Sequence, residues 1–431
     1  MNISVNGSVN VLANVLANGH HRRRLALATV TAAALTGGLL TLSAPAASAA
    51  AAHAYKADFN HDGYGDVAFA APYAKVGGKN MAGYVAVVYG SASGLNPAKR
   101  TIVSQNTAGV PGTAETEDFF GRALAVADFD KDGYTDLAVG APGEDNGSDT
   151  EGGSVTILWG SASGLKNGTT VKDPSAAKHE AWGSVLAAGD FNGDGRADLA
   201  SGTAASYAYI VKGGFTKSGT TGGTQKVPTP DKAEFGIDAL AAGDTNGDKK
   251  ADLVLTYRTA ATSDPSGSWS KGAAYLGASG GVVATQPRPL NGGTSLALGD
   301  INGDGYDEIA IGVVFKDIGA AEDTGLVVLM NGSADGVSRT GARTISQNTV
   351  GVPGAAESMD YFGSDLVLSD VTKDGKADLT VGASFEDEGV GAVTALRGSA
   401  SGITATGAKS FGPGTFGLSR TYGAFGTGLT G

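Results

Sequence analysis

The stretch "DFDKDGYTDLAVGAP", Asp128 to Pro142, decides how this chain is read. Asp128, Asp130, Asp132 and Asp136 crowd into nine residues, and an apolar run, Leu137 to Val139, follows at once. Like charges at such spacing repel. The turn therefore either faces water or encloses a cation.

The same nine residues recur. "DFNHDGYGD" starts at Asp58, "DFDKDGYTD" at Asp128, "DFNGDGRAD" at Asp190, "DTNGDKKAD" at Asp244, "DINGDGYDE" at Asp300 and "DVTKDGKAD" at Asp370, with spacings of 70, 62, 54, 56 and 70 residues. Self-similarity at this period marks a solenoid, a propeller or an array. The flanks choose among them. Each turn is preceded by a short run such as "RALAVA" or "SDLVLS" and followed by another such as "DLAVGAP" or "EIAIGVV". A third run, "GYVAVVYG" or "GGSVTILWG", ends in "GSASGL" at Gly90 and Gly160, "GSADGV" at Gly332 or "GSASGI" at Gly398. Runs of four to seven apolar or alternating residues between glycines read as strands. A longer connection then leads to "FFG", "AWG", "EFG" or "YFG", where the cycle restarts. Four strands per repeat is one blade of a β-propeller. The expected fold is all-β, a propeller of six four-stranded blades, with repeats at 58–127, 128–189, 190–243, 244–299, 300–369 and 370–431. The last residues, "FGTGLTG", resemble the "FGRALAV" ahead of Asp128. This suggests that a C-terminal strand completes the first blade and closes the ring, leaving no sheet edge open.

The turn chemistry points to calcium. Positions one, three, five and nine carry Asp, Asn, Thr or Glu, and position six is Gly in five of the six turns. Calcium takes six to eight oxygen ligands from carboxylates, carbonyls and water. Gly at position six permits the positive φ of a sharp bend. Soft metals are disfavoured, because the chain has no Cys and only 5 His. An EF-hand would need flanking helices and Glu at position twelve. Phe69, Val139, Ser201, Leu255, Ile311 and Val381 stand there instead. The weakest turns are the fourth, where Lys249 replaces the position-six Gly, and the sixth, where Thr372 holds position three.

Bulk composition agrees. The chain of 431 residues is 41% hydrophobic, enough for a packed core, and its 69 Gly suit many tight turns. Residues 1–49 read as a secretory signal with a polar extension. Arg22 to Arg24 form the basic region, Leu25 to Leu42 the apolar one, and Ala47-Ser48-Ala49 a cleavage site. The mature domain is then 50–431, secreted, with the cell wall as a candidate place of residence. Removing three Arg and no acid moves the net charge from −12 to −15, which argues against nucleic acid as a partner. Six Ca²⁺ would bring −15 to −3, so the acidity reads as metal chemistry.

The "FFG" at Phe119 to Gly121 and the "VGAP" at Val139 to Pro142, enclosing a DxDxDGxxD turn, resemble the FG-GAP repeat of integrin α-subunit propellers and their bacterial relatives. The resemblance covers residues 55–431. It implies calcium turns between two strands of each blade, on the lower face of the ring. The implied ligands are Asp58, Asn60, Asp62 and Asp66; Asp128, Asp130, Asp132 and Asp136; Asp190, Asn192, Asp194 and Asp198. They continue with Asp244, Asn246, Asp248 and Asp252; Asp300, Asn302, Asp304 and Glu308; Asp370, Thr372, Asp374 and Asp378. Integrin propellers have seven blades, so seven stays open beside six. The "GAP" decays to "GTA" at Gly202 and "GAS" at Gly382, and vanishes after Asp252.

No catalytic set stands out. His53 lies in the N-terminal tail, His61 in an acidic turn and His179 in a blade connection, where a base would need a nucleophile and an orienting acid and the adjacent Glu180 is expected to point elsewhere. The expected role is a binding, adhesion or scaffold module, monomeric, with no membrane span after signal cleavage. The other reading is an extracellular hydrolase of glycans or phosphoesters on the same scaffold. A protein or glycan partner is expected on a rim, where loops carry recognition. "SQNTAGVPGTAETEDFFG", Ser104 to Gly121, recurs as "SQNTVGVPGAAESMDYFG", Ser346 to Gly363, with 13 of 18 residues identical. Recognition and shared ancestry of two blades both account for that repeat.

Overall fold

The structure is a computed structural model. It describes residues 57–91, 98–146, 150–176, 180–259 and 270–416. The signal region, His53, His179 and the proposed closing strand lie outside these residues.

Six small antiparallel sheets form a ring, a six-bladed β-propeller. The first holds β1 (Val67–Ala71), β2 (Tyr84–Val88) and β3 (Arg100–Val103); the second holds β4 (Ala123–Ala127), β5 (Asp136–Ala141), β6 (Ser154–Trp159) and β7 (Lys166–Thr170). The third comprises β8 (Leu186–Gly189), β9 (Asp198–Ser201), β10 (Tyr207–Val211) and β11 (Thr224–Pro228). In the fourth, β12 (Ile237–Gly243), β13 (Asp252–Arg258) and β14 (Ser270–Tyr275) are joined by β17 (Arg288–Asn291); a hairpin of β15 (Gly277–Ala278) and β16 (Gly281–Val282) intervenes. The fifth is β18 (Ser295–Gly299), β19 (Glu308–Val313), β20 (Leu326–Met330) and β21 (Arg343–Ile345); the sixth is β22 (Phe362–Ser369), β23 (Asp378–Ala383), β24 (Ala392–Arg397) and β25 (Thr404–Phe411). The first sheet has three described strands, one short of the others.

The first strands, β4, β8, β12, β18 and β22, pack against one another in succession and line the inside of the ring. The core sits between blades. Five apolar clusters each draw on two consecutive sheets, such as Phe129, Ile157 and Trp159 with Trp182, Leu199 and Phe215. This explains why second strands such as "DLAVGA" are buried along their whole length. A blade covered on both faces needs no polar alternation.

The restart motif is not uniform. Phe120, Trp182 and Phe362 are fully buried, each before a Gly at positive φ. Phe235 stands in the same place before Gly236, yet is 58% exposed, with the Arg258 guanidinium 5.0 Å from its ring centre. Ile237 fills the core there instead. The fourth blade thus lacks the aromatic anchor that its "EFG" suggests.

Candidate metal centre

In blades two to six the acidic turn joins the first and second strands, in the first blade it leads into β1, and the register fixes the position-nine acid. Asp136 is the first residue of β5 and pairs with Ala127; Asp198, Asp252, Glu308 and Asp378 sit likewise opposite Gly189, Gly243, Gly299 and Ser369. All of these acids are buried.

The turn is built on its own carboxylates. Asp128 accepts the N–H of Asp132 through one oxygen at 3.1 Å and that of Gly133 through the other at 2.9 Å. The first Asp of every other turn makes the same pair of bonds to positions five and six. The position-five Asp accepts the N–H of position seven. Position six has φ between +67° at Lys249 and +90° at Gly133, the left-handed region that Gly enters without a Cβ penalty.

The position-nine acid has a second task. Asp136 accepts the Phe129 N–H on one oxygen at 2.9 Å and the Gly160 N–H on the other at 2.8 Å. It thereby ties the turn to the end of the third strand. Asp66, Asp198, Asp252 and Asp378 repeat the tie to Gly90, Gly213, Gly277 and Gly398. With each oxygen so engaged, these acids retain at most one acceptor site per oxygen, and Asp252 has one oxygen filled by both Thr245 donors. Burial is the main cause that lifts the Asp136 carboxyl to about 7, against the two N–H bonds that lower it; Asp130 and Asp132 raise it further. Burial likewise pushes Asp198 and Asp252 to about 6 and Glu308 to about 7.

Oxygens of Asp128, Asp130 and Asp136 lie within 4.8 Å of one another, the one such group of three acids among the described residues. Asp132 stands apart from that group. Its outer oxygen, and that of Asp130, each lie 3.0 Å from the Lys217 ammonium, which arrives from the third blade. Sequence spacing gave no sign of Lys217, 85 residues from Asp132.

The fourth and sixth turns depart from the pattern. In the fourth, Lys249 takes φ +67°, the Thr245 hydroxyl donates to Asp252, and Lys250 pairs with Asp248 at 2.9 Å. Asp307 of the fifth blade also accepts the Asp244 N–H at 2.8 Å, and burial lifts its carboxyl to about 7. In the sixth, it is Thr372 at position three, not position two, whose N–H reaches the position-nine acid. Val371 then points outward, 67% exposed, where Phe59, Phe129, Phe191, Thr245 and Ile301 are buried.

Neighbouring turns are stitched together. The position-eight N–H donates to the position-one carbonyl of the preceding blade, from Thr135 to Asp58, Ala251 to Asp190, Asp307 to Asp244 and Ala377 to Asp300. The turns therefore line one face of the ring.

The duplicated connection also acquires a physical role. The Gln105 amide donates to Glu144 of the next blade, and Gln347 to Glu386. Asp118 and Asp360 accept N–H bonds from Glu115 and Glu357. The identical residues thus pin each long connection the same way. Beside it stand exposed aromatics, Tyr73 against Phe119 and Phe315 against Tyr361. His61 is exposed, and its ring meets that of Tyr134.

The FG-GAP repeat profile matches residues 55–88, 120–158, 182–221, 292–330 and 362–396. This chain is an FG-GAP repeat protein. The unmatched fourth blade is the one with the displaced aromatic, the missing "GAP" and Lys249. The FG-GAP chain is homologous to integrin α subunits. It is 27% identical to integrin alpha pat-2 of Caenorhabditis briggsae over 291 residues, covering 65% of this chain and 20% of that protein. It is 40% identical to integrin alpha-V of Gallus gallus over 89 residues, 20% of this chain and 8% of that one. Phosphatidylinositol-glycan-specific phospholipase D of Mus musculus is 39% identical over 144 residues, 33% of this chain and 17% of that enzyme. The FG-GAP chain spans no more than about a fifth of the length of these relatives. Among the described residues no helix is long and apolar enough to cross a membrane.

Proposed function

We propose that this FG-GAP propeller is a secreted calcium-binding module that presents a rim of loops to a protein or glycan partner. The convergence of Asp128, Asp130 and Asp136 supports this reading best. The donor set is oxygen alone, which suits Ca²⁺ and disfavours soft metals. Burial and the neighbouring Asp130 and Asp132 lift Asp136 to about 7, so a bound dication would favour its charged form. Asp128, Asp130, Asp132 and Asp136 would hold the ion in the second turn. The matching residues would do so in the first, third and fifth, and less well in the fourth and sixth. Bound calcium supplies positive charge that offsets repulsion among these acids.

The role is structural support for recognition. The turns are bonded blade to blade, so metal held there stiffens the ring that carries the connections. Calcium titration by calorimetry into the metal-free chain tests this; heat that saturates at several ions per chain supports it, and no heat refutes it. A pull-down from cell-wall material and a glycan array address the partner. Turnover of phosphoester or glycoside substrates by the purified chain would favour the hydrolase reading instead.

A further inference from the structure

We propose that Lys217 is a built-in counter-ion of the second acidic turn, and that a divalent ion entering that turn must expel it. The inference rests on the calcium reading above and adds a residue that controls it. Lys217 belongs to the turn between β10 and β11, one blade beyond the acids it meets. Its ammonium lies 3.0 Å from Asp130 and 3.0 Å from Asp132, two of the four acids of the one turn whose ligand positions are all Asp.

The lysine is delivered by a built element. Its neighbour Phe215 is buried, with its ring 5.2 Å from that of Phe129, position two of the same acidic turn. The Thr169 hydroxyl donates to the Lys217 carbonyl at 3.1 Å and itself receives the Trp159 indole N–H at 2.9 Å. Thr216 and Gly219 close the turn around Lys217 with backbone bonds to Thr220 and Thr216. The ammonium also sits 5.7 Å from the centre of the Trp159 ring. Elsewhere the arrangement differs: Lys250 and Lys376 each pair with one acid of their own turn, Asp248 at 2.9 Å and Asp374 at 3.9 Å.

Two consequences follow from the charge. Without metal, Lys217 neutralises part of the second turn and links blades two and three. With metal, a like charge stands against the incoming ion, and two ligand carboxylates are already engaged. The second turn, with Asp at all four ligand positions, therefore binds more weakly than its ligands alone would give. Its affinity is lowered about tenfold, the order expected for one unit charge facing a dication across roughly 6 Å of water-like medium.

The test titrates calcium into the metal-free full chain and follows tryptophan emission. A Trp159→Phe control isolates the component beside Lys217. Lys217→Met is expected to reach half-saturation of the Trp159 component at about tenfold lower calcium, and Lys217→Arg to behave as wild type. Equal or weaker binding by Lys217→Met overturns the proposal. If calcium produces neither heat nor emission change in any variant, the calcium reading fails. The counter-ion role is then decided by melting in EGTA. Lys217→Met melting below wild type sustains it, and coincident melts end it.

Discussion

At the scale of single residues, the acids of each turn divide into two kinds. Asp136 accepts two backbone N–H groups, one on each oxygen. An amide there would aim its NH₂ at one of those donors. Asp136→Asn should therefore lower stability by about 1–3 kcal/mol even in EGTA. Asp132, partly exposed, should lose in EGTA only its share of the Lys217 pair, about 1 kcal/mol or less, and beyond that only the calcium-dependent increment. Chemical denaturation of both variants with and without calcium checks this; equal losses in EGTA would contradict the division. Lys249 offers a second case. Its φ of +67° costs an L-residue about 1–2 kcal/mol, offset in part by the greater entropy that Gly loses on folding. Lys249→Gly should raise stability by about 0.5–1 kcal/mol, and a destabilised variant would show that the lysine contributes contacts worth more than the strain. Position six was legible in the sequence because only Gly fits there freely. Lys217 and Asp307 were not, because each acts on a turn of another blade.

At the scale of elements, strand order and turn placement were legible, since a period of two and a fixed glycine pattern dictate them. The fourth blade restarts at "EFG" as its letters indicate, but Ile237 and not Phe235 occupies the core position. The duplicated connections show what identity alone leaves open. Thirteen shared residues fit either recognition or ancestry, and the Gln105–Glu144 and Gln347–Glu386 bonds supply a structural reason for part of the match. These acids also predict a pH dependence. Burial lifts Glu144 and Glu386 from the ordinary 4.5 to about 7 in the folded chain. The fold then binds protons that the unfolded chain has released. Their contribution is fully present below about 4.5 and is lost as pH rises through about 7. Glu144→Gln with Glu386→Gln keeps an acceptor for each glutamine and removes the charge. Melting temperature against pH should flatten between 4.5 and 7 in that double variant relative to wild type; an identical profile would place the titration elsewhere.

At the scale of the whole molecule, the propeller is a ring of seams. Among the described residues its core is five clusters between blades, and four of the five steps between successive acidic turns carry a backbone bond along one face. A chain with no Cys has no disulfide to hold such a ring. The blade count of six was legible from the six turns, whereas ring closure by the last residues falls outside the described structure. Metal bound at the turns acts where seams meet, so each occupied site should stabilise the ring as a unit. At a free concentration ten times Kd, one site adds about 1.4 kcal/mol. That shifts melting by about 2 °C per site for a domain of this size. The most direct measurement is thermal melting of the purified chain in EGTA and again after calcium is restored. The account predicts a melting temperature several degrees lower in EGTA and full recovery with calcium; superimposable melts would contradict it.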